Sequence, residues 1–407
     1  MSDERQLVLS EIAETIQTGP FGSQLHQSDY SEIGIPVVMP KDLIGGSISE
    51  ASIARVSADH VARLSRHKMS PGDIVYSRRG DVGRCALVTP KEQGWLCGTG
   101  CLRVTIDQNK ANPMYVFYYL QLPKTIAWVE NHAVGATMLN LNTSILGNIP
   151  IRLPDIRIQN KVVSVISSYD DLIATNQKQI DLLEEAAQRL YKEWFCFKHT
   201  PATEKDDISD YLIKRGWKMS KIGDIFNTYL GGTPSREKKE FWEKGTIPWI
   251  NSGEVNRLRI VKPSEMITEQ ALRKSATKLL PKHTTLVAIT GATLGQVSFT
   301  EIETCANQSV VGIYDGQDIY NYYLYHFVSQ HIGEIVAKAT GGAQQHINKD
   351  IINDYSIILP PVNVIREYNP LVAPIFESIK VLLFQNIFLS EARDLMLKEL
   401  IVNSDSR

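Results

Sequence analysis

The sequence predicts an α+β protein: two repeated mixed α/β heads separated by an antiparallel two-helix coiled coil. Three observations predict it. Four blocks recur in the same order in the two halves. Each half ends in a long, almost glycine-free stretch with a heptad seam. The rest of each half is cut by glycine and proline into short β-type runs.

The repeat is direct. "IPVVMPKDL" at Ile35 matches "IPWINSGEV" at Ile247. "IVYSRRGDVGRCALVT" at Ile74 matches "LVAITGATLGQVSFT" at Leu286, each a strand, a glycine turn and a strand. "YVFYYLQ" at Tyr115 matches "IYNYYLYHF" at Ile319. "VGATMLNLNTSILGNIPIRLP" at Val134 matches "TGGAQQHINKDIINDYSIILP" at Thr340 without a gap, so that Asn142 falls on Asn348 and Ile145 on Ile351. The organisation expected is a first head over 1–154, a spacer helix over 155–197, a second head over 198–360 (its first part, 198–217, a linker) and a second spacer helix over 361–407.

The first seam steps through Val162, Ile166, Tyr169, Ile173, Asn176, Ile180, Leu183, Ala187, Leu190 and Trp194, alternating four and three. A lone polar residue such as Asn176 fixes register in such a seam. The second steps through Tyr368, Val372, Ile375, Ile379, Leu382, Asn386, Leu389, Arg393, Met396 and Leu400, with two polar breaks. Pro370 and Pro374 are expected to kink or delay this helix, since each removes a backbone donor. Two narrow seams in one chain pair most simply with each other, and connectivity makes them antiparallel. The alternative is that each lies on its own head. From Val162 to Trp194, at ~1.5 Å per residue, the rod is about 50 Å long, the span of roughly 15 base pairs at ~3.4 Å each.

Composition excludes little. Of the 407 residues, 43% are hydrophobic and 22% charged, with a net charge of −2, so a partner must be sought in local charge. No run of about 18 apolar residues stands out as a membrane span. The charged N-terminus lacks an apolar signal core, and five scattered cysteines fit a reducing, cytoplasmic setting. Cys97 and Cys101 have no second Cys/His pair at finger spacing and read as ordinary thiols rather than a zinc site.

Chemistry-bearing patterns are few. "GGTPSREKKEFWEKGTIPWIN" (Gly231 to Asn251) lacks the G-x-x-x-x-G-K-[ST] spacing of a phosphate loop. "NPMY" at Asn112 looks like an adenine-methyltransferase motif, but no cofactor-binding glycine turn stands upstream. It reads instead as a helix start with proline in the first turn. No nucleophile triad, paired carboxylates or metal-binding run is recognisable. Clustered tyrosines (Tyr118, Tyr119, Tyr320, Tyr322, Tyr323) read as helix packing rather than base-stacking platforms. Arg236, Lys238, Lys239 and Lys244, then Arg257, Arg259 and Lys262, make modest basic clusters, the first interleaved with Glu237, Glu240 and Glu243.

Taken together, these residues resemble the specificity (S) subunit of type I restriction–modification systems. The resemblance covers nearly the whole chain and is most specific in "GGTPSREKKEFWEKGTIPWINSG", "LVAITGATLGQVSF", "TGGAQQHIN" and "LLEEAAQRLYKEWF". It is weaker at "GPFGSQLHQSDYSEIGIPVVMP", where the first half lacks the glycine-threonine-proline form. The resemblance implies that each head is a target-recognition domain reading half of a bipartite, asymmetric double-stranded DNA site. It implies that the helices set the gap and dock two adenine methyltransferase subunits, with two restriction subunits joining them. It implies no catalytic centre and no cofactor on this chain, S-adenosylmethionine, ATP and Mg belonging to the partners, and no membrane. The DNA-contact candidates are Lys41, Arg78, Arg79, Arg84, Thr233, Ser235, Arg236, Lys238, Asn251, Thr290, Thr293, Gln344, Gln345 and His346. Arg78, Arg79 and Arg84 have the fork that pairs with guanine edges; short polar and basic loop groups suit phosphates. The rival readings are a coiled-coil adaptor that binds only proteins, and a self-sufficient modification enzyme.

Overall fold

A computed structural model describes residues 5–135, 139–197, 212–213, 215–339 and 346–402. The chain divides into two compact units, Met1–Leu172 with Leu389–Arg407, and Ile173–Phe388. The division falls inside both long helices, so each unit holds a globular part and a stretch of each helix.

In the first unit, strand Arg5–Val8 pairs antiparallel with Pro150–Leu153. A four-stranded antiparallel sheet runs Ala13–Thr18, Cys101–Ile106, Ile74–Ser77, Cys85–Leu87. A second sheet centres on Ile35–Val38, which pairs parallel with Leu96–Cys97 and antiparallel with Ala54–Val56. The unit containing Ile173–Phe388 repeats this plan. Lys218–Lys221 pairs with Ser356–Leu359. Its main sheet runs Asn227–Leu230, Val310–Tyr314, Thr285–Ala288, Val297–Thr300, with Arg259–Ile260 added at the edge. Ile247–Ile250 pairs parallel with Cys305–Ala306 and antiparallel with Glu265–Ile267.

Period-2 side-chain alternation explains why the central strands are apolar throughout: both faces are covered. Ile74 and Tyr76 enter one core with Leu9, Ile12, Tyr115 and Tyr118, while Val75 enters another with Ala86, Cys97 and Cys101. In the other unit Val287 joins Phe299, Val311 and Tyr323, while Leu286 and Ala288 join Ile250 and Val310. Cys97 and Cys101 are therefore packed thiols, and burial pushes Cys97 up to about 12. Asn112 caps helix Pro113–Leu120, its side chain accepting from the amides of Met114 (2.9 Å) and Tyr115 (3.3 Å). Tyr118, Tyr119 and Tyr323 are buried in helix packing. Asn142 and Asn348 cap equivalent short helices, accepting from Ile145 (2.7 Å) and Ile351 (2.9 Å).

The first long helix covers Ile156–Lys192 and the second Val362–Leu397. Pro370 and Pro374 lie inside the second, so the expected delay does not occur. Each proline in a helix interior costs about 3 kcal/mol, but Ile365, Tyr368, Val372, Phe376 and Ile379 on the same stretch are buried, each contributing roughly 1.5–3 kcal/mol. Packing outweighs propensity.

The helices pair within each unit, and in each the direction is antiparallel. In the first unit Arg393 Nη1 donates to Asp170 Oδ1 at 2.9 Å, and Val162 and Ile166 share a core with Ile401, Leu400 and Met396. In the other, Asn176 Nδ2 donates to Asn386 Oδ1 at 2.9 Å, and Gln179 and Leu183 lie beside Ser378 and Leu382. Of the first-helix seam, Val162, Ile166, Ile180, Ala187 and Trp194 are buried, and Tyr169, Ile173, Asn176, Leu183 and Leu190 half-buried. Val372 and Ile379 are buried, Leu389 and Met396 half-buried.

Among the described residues one helix, the second long helix taken with the π-helical turn that follows it (Val362–Ile401), is long and apolar enough to cross a membrane, with a window of mean hydropathy 1.5. Scattered polar residues hid it from a search for an unbroken run. Its apolar residues include the seam, and Leu371, Val381, Phe388 and Leu395 are exposed.

Candidate nucleic-acid interface

The glycine pair in "GGTPS" is a close-packing device. A β-carbon on Gly231 would lie 2.1 Å from the Asn307 carbonyl oxygen, and one on Gly232 2.8 Å from the Ala276 carbonyl carbon. The Gly231 amide donates to Val310 O (2.9 Å) and the Gly232 amide to Ala306 O (2.8 Å). Trp249 Nε1 donates to Gly232 O (3.2 Å), fastening the loop to the strand it precedes. In the first unit Gly19 does the same: its β-carbon would lie 1.9 Å from Gly98 O, and its amide donates to Cys101 O (2.9 Å).

Around these glycines each unit gathers four loops along one edge. In the unit containing Ile173–Phe388, Thr233 Oγ1 donates to Gln308 Oε1 (2.5 Å). The Ile289 amide donates to Ser309 O (2.9 Å), and the Ile347 amide to Ile289 O (3.1 Å). Thr290 forms an antiparallel bridge with His346. In the first unit Thr99 Oγ1 donates to Pro20 O (2.8 Å). The Arg78 amide donates to Gly100 O (2.8 Å), and the Leu141 amide to Arg78 O (2.9 Å). Arg79 bridges Asn140 as Thr290 bridges His346. The loop after the first main strand, the segment near 98–100 or 307–309, the glycine turn and the stretch at 140–141 or 346–347 thus meet twice in the same way. At Gly22, Gly80 and Gly291 no described atom approaches within 4 Å of where a β-carbon would stand. Bare backbone there leaves room for a ligand's close approach.

The predicted residues divide accordingly. Thr233, Thr290, Thr293, His346, Arg78 and Arg79 lie on these edges. Thr293 Oγ1 donates to Thr290 O (3.3 Å), closing the turn. Arg78 is half-buried, its Nε donating to Leu141 O (3.2 Å), so it holds the edge together. Arg79 is exposed. Arg84, also exposed, pairs with Asp81 at 2.5 Å. Lys41, beside Pro40 that packs on Gly100, donates to Ser52 O (2.7 Å). Asn251 caps Ser252–Asn256, accepting from the Gly253 amide (2.7 Å). Gln344 and Gln345 lie outside the described residues.

Ser235, Arg236 and Lys238 form a neighbouring group. The Arg236 guanidinium lies 3.6 Å from the Trp242 ring centre and grips Glu265 with both arms (2.6 and 2.7 Å). This bond, beside the Arg236 charge, holds the Glu265 carboxyl below its usual range. Ser235 O accepts from Trp242 Nε1 (3.1 Å), and Lys238 Nζ is 5.1 Å from the Phe241 ring. The Arg236 fork is thus occupied in the free chain. Arg259, counted with the surface cations above, is buried. It pairs with Glu184 of the first long helix (2.7 and 3.0 Å), lies 3.6 Å from Glu301, and stacks 3.7 Å over Phe376. Burial pushes the Glu301 carboxyl up to about 7 and His326 down to about 3. Among the described residues no three His, Cys, Asp or Glu side chains are grouped to hold a metal ion.

Sequence reasoning missed Gln308, Thr99 and Asn140, which complete the edges. Asn140 carried a signal, lying inside the repeated block that begins at Val134; Thr99 and Gln308 lie between blocks.

The comparisons agree with this plan. The family model described as "Type I restriction modification DNA specificity domain" matches residues 9–185 and 214–365. The "Type I restriction enzyme MjaIX specificity subunit" of Methanocaldococcus jannaschii is 26% identical over 378 residues, covering 90% of this chain and 86% of that protein. The "Type I restriction enzyme EcoR124I/EcoR124II specificity subunit" of Escherichia coli is 26% identical over 275 residues, covering 63% of this chain and 61% of that one. Among solved structures, a type I restriction–modification S subunit from M. genitalium has the same fold (TM-score 0.57, 14% identity, 98% of this chain and 96% of that one). A duplicated domain, a duplicated loop edge and a match to the family model in both halves lead to one conclusion: the chain belongs to the type I restriction–modification DNA specificity family and is a specificity subunit with two copies of its domain.

Proposed function

We propose that the four-loop edge of each unit grips one part of a bipartite, asymmetric double-stranded DNA site. The observation that carries this is the double construction of that edge, with the same backbone bonds and different side chains: Arg79 beside Asn140 in one unit, Thr290 beside His346 in the other. A shared scaffold with different polar groups suits two different half-sites. Arg79, Thr233, Thr290 and His346 supply the nearest polar groups; Ser235, Arg236, Lys238 and Lys41 flank them for phosphates.

The chain performs no chemistry in this reading. Its paired helices set the number of base pairs between the parts and dock two adenine methyltransferase subunits, which two restriction subunits join in the cytoplasm. S-adenosylmethionine, ATP and Mg belong to those partners. Exposed Leu172 and Leu182 on the first helix, and Phe388 and Leu395 on the second, support a docking role. The test is binding of random duplex fragments by the chain, with and without its methyltransferase partner. Enrichment of one two-part motif with a fixed gap is expected. Binding to the methyltransferase with no sequence preference would leave only a protein adaptor.

A further inference from the structure

Phe21 stands out on the first unit's edge. The residue is 52% exposed, yet its backbone is tied down. The Phe21 amide donates to Gln24 Oε1 (3.1 Å), and Phe21 O accepts from the amides of Gln24 (2.8 Å) and Leu25 (3.3 Å). Pro20, just before it, is held through its carbonyl by Thr99 Oγ1 (2.8 Å), and Gly19 is packed against Gly98. Gly22, just after it, has open space where a side chain would be. The Arg78 guanidinium lies 6.0 Å from the ring centre, and exposed Arg79 follows. An apolar ring held out on a pinned backbone, next to cations, has little conformational entropy left to lose on meeting a flat π surface. The matching loop of the other copy puts Thr233 at this place, so the device belongs to one half-site alone.

We infer that Phe21 is a wedge for the first half-site, its ring inserting against the base faces of one base-pair step. This rests on the DNA-binding reading above. Apolar side chains inserted at a step partly unstack it, and base–aromatic stacking returns part of that energy. Arg78, 6.0 Å from the ring centre, and neighbouring Arg79 offer cations to the same stretch of duplex.

The test uses the full chain bound to its methyltransferase partner, and duplexes bearing the recognised motif. 2-Aminopurine replaces each adenine of the first part in turn. Wild type should raise the fluorescence at one step. Phe21→Ala and Phe21→Thr should lose that rise and weaken binding about tenfold or more. Phe21→Trp should retain both, and thermal melting should show all variants folded. Changes in the second part of the motif should affect wild type and Phe21→Ala equally. Unchanged affinity and fluorescence in folded Phe21→Ala would overturn the wedge while leaving DNA recognition intact. Failure of wild type to prefer any motif would instead overturn the reading on which the wedge stands.

Discussion

Gly231 leaves no room for a side chain, because the Asn307 carbonyl would sit 2.1 Å from a β-carbon there. Gly231→Ala must therefore shift backbone, and an overpacking cost of about 1–3 kcal/mol is expected in urea denaturation. Gly291 makes the contrast. It has open space but a φ of 69°, so Gly291→Ala should cost only about 1 kcal/mol of strain. The sequence marked Gly291 as part of a glycine turn and Gly231 only as part of a loop, since the Asn307 that crowds Gly231 is remote in the chain. The same distance hid the buried Arg259 cluster. Burial pushes the Glu301 carboxyl from its usual 4.5 up to about 7 in the folded chain. The native state therefore holds a proton that the unfolded chain has released, and stability from this group falls as pH rises from about 4.5 to about 7. His326, buried neutral with its value depressed to about 3 from 6.5, acts in the opposite sense: its contribution is lost as pH falls from about 6.5. Comparing Glu301→Gln with wild type across this range isolates the contribution of Glu301. The variant should gain on wild type as pH rises, approaching on the order of 3 kcal/mol at the top of the window. A parallel pair of stability curves would contradict it.

The long helices were the most legible elements, because a heptad is a local pattern. The helix that carries Pro370 and Pro374 was the exception: the packing that sustains it is tertiary and leaves no local trace. The polar breaks in the seams turn out to be partners. Asn176 meets Asn386, and Asp170 meets both Arg393 (2.9 Å) and the Tyr118 hydroxyl (2.6 Å). Shifted by one repeat, Asp170 and Asn176 correspond to Phe376 and Leu382. The polar groups are therefore complementary between the two helices rather than within either one. Asn176→Leu alone strands the Asn386 amide and should destabilise by about 1–3 kcal/mol. Joint replacement of Asn176 and Asn386 by leucine should recover most of that loss in chemical denaturation and give up register specificity. A double-mutant cycle with no coupling would show the pair to be incidental. Asp170→Asn should release Arg393 and weaken the Tyr118 bond, with a loss of similar size and a coupling to Arg393→Ala.

At the scale of the whole molecule, duplication was legible because four blocks recur in order, and the main strand pairs follow it. The recognition edge was only half legible. Its glycine turns, Asn140 and His346 lie in repeated blocks. The neighbours that complete it, Thr99, Thr233 and Gln308, come from segments that no repeated block covers. The central claim is that each unit reads its own part of one DNA site. It is tested most directly by mapping N6-methyladenine in a genome that expresses this chain with its methyltransferase partner, before and after the segment 218–360 is replaced by that of a relative. The account predicts a two-part asymmetric motif with a fixed gap, of which the replacement changes one part and leaves the other part and the gap unaltered. A motif that changes in both parts, or methylation with no two-part motif at all, would contradict it.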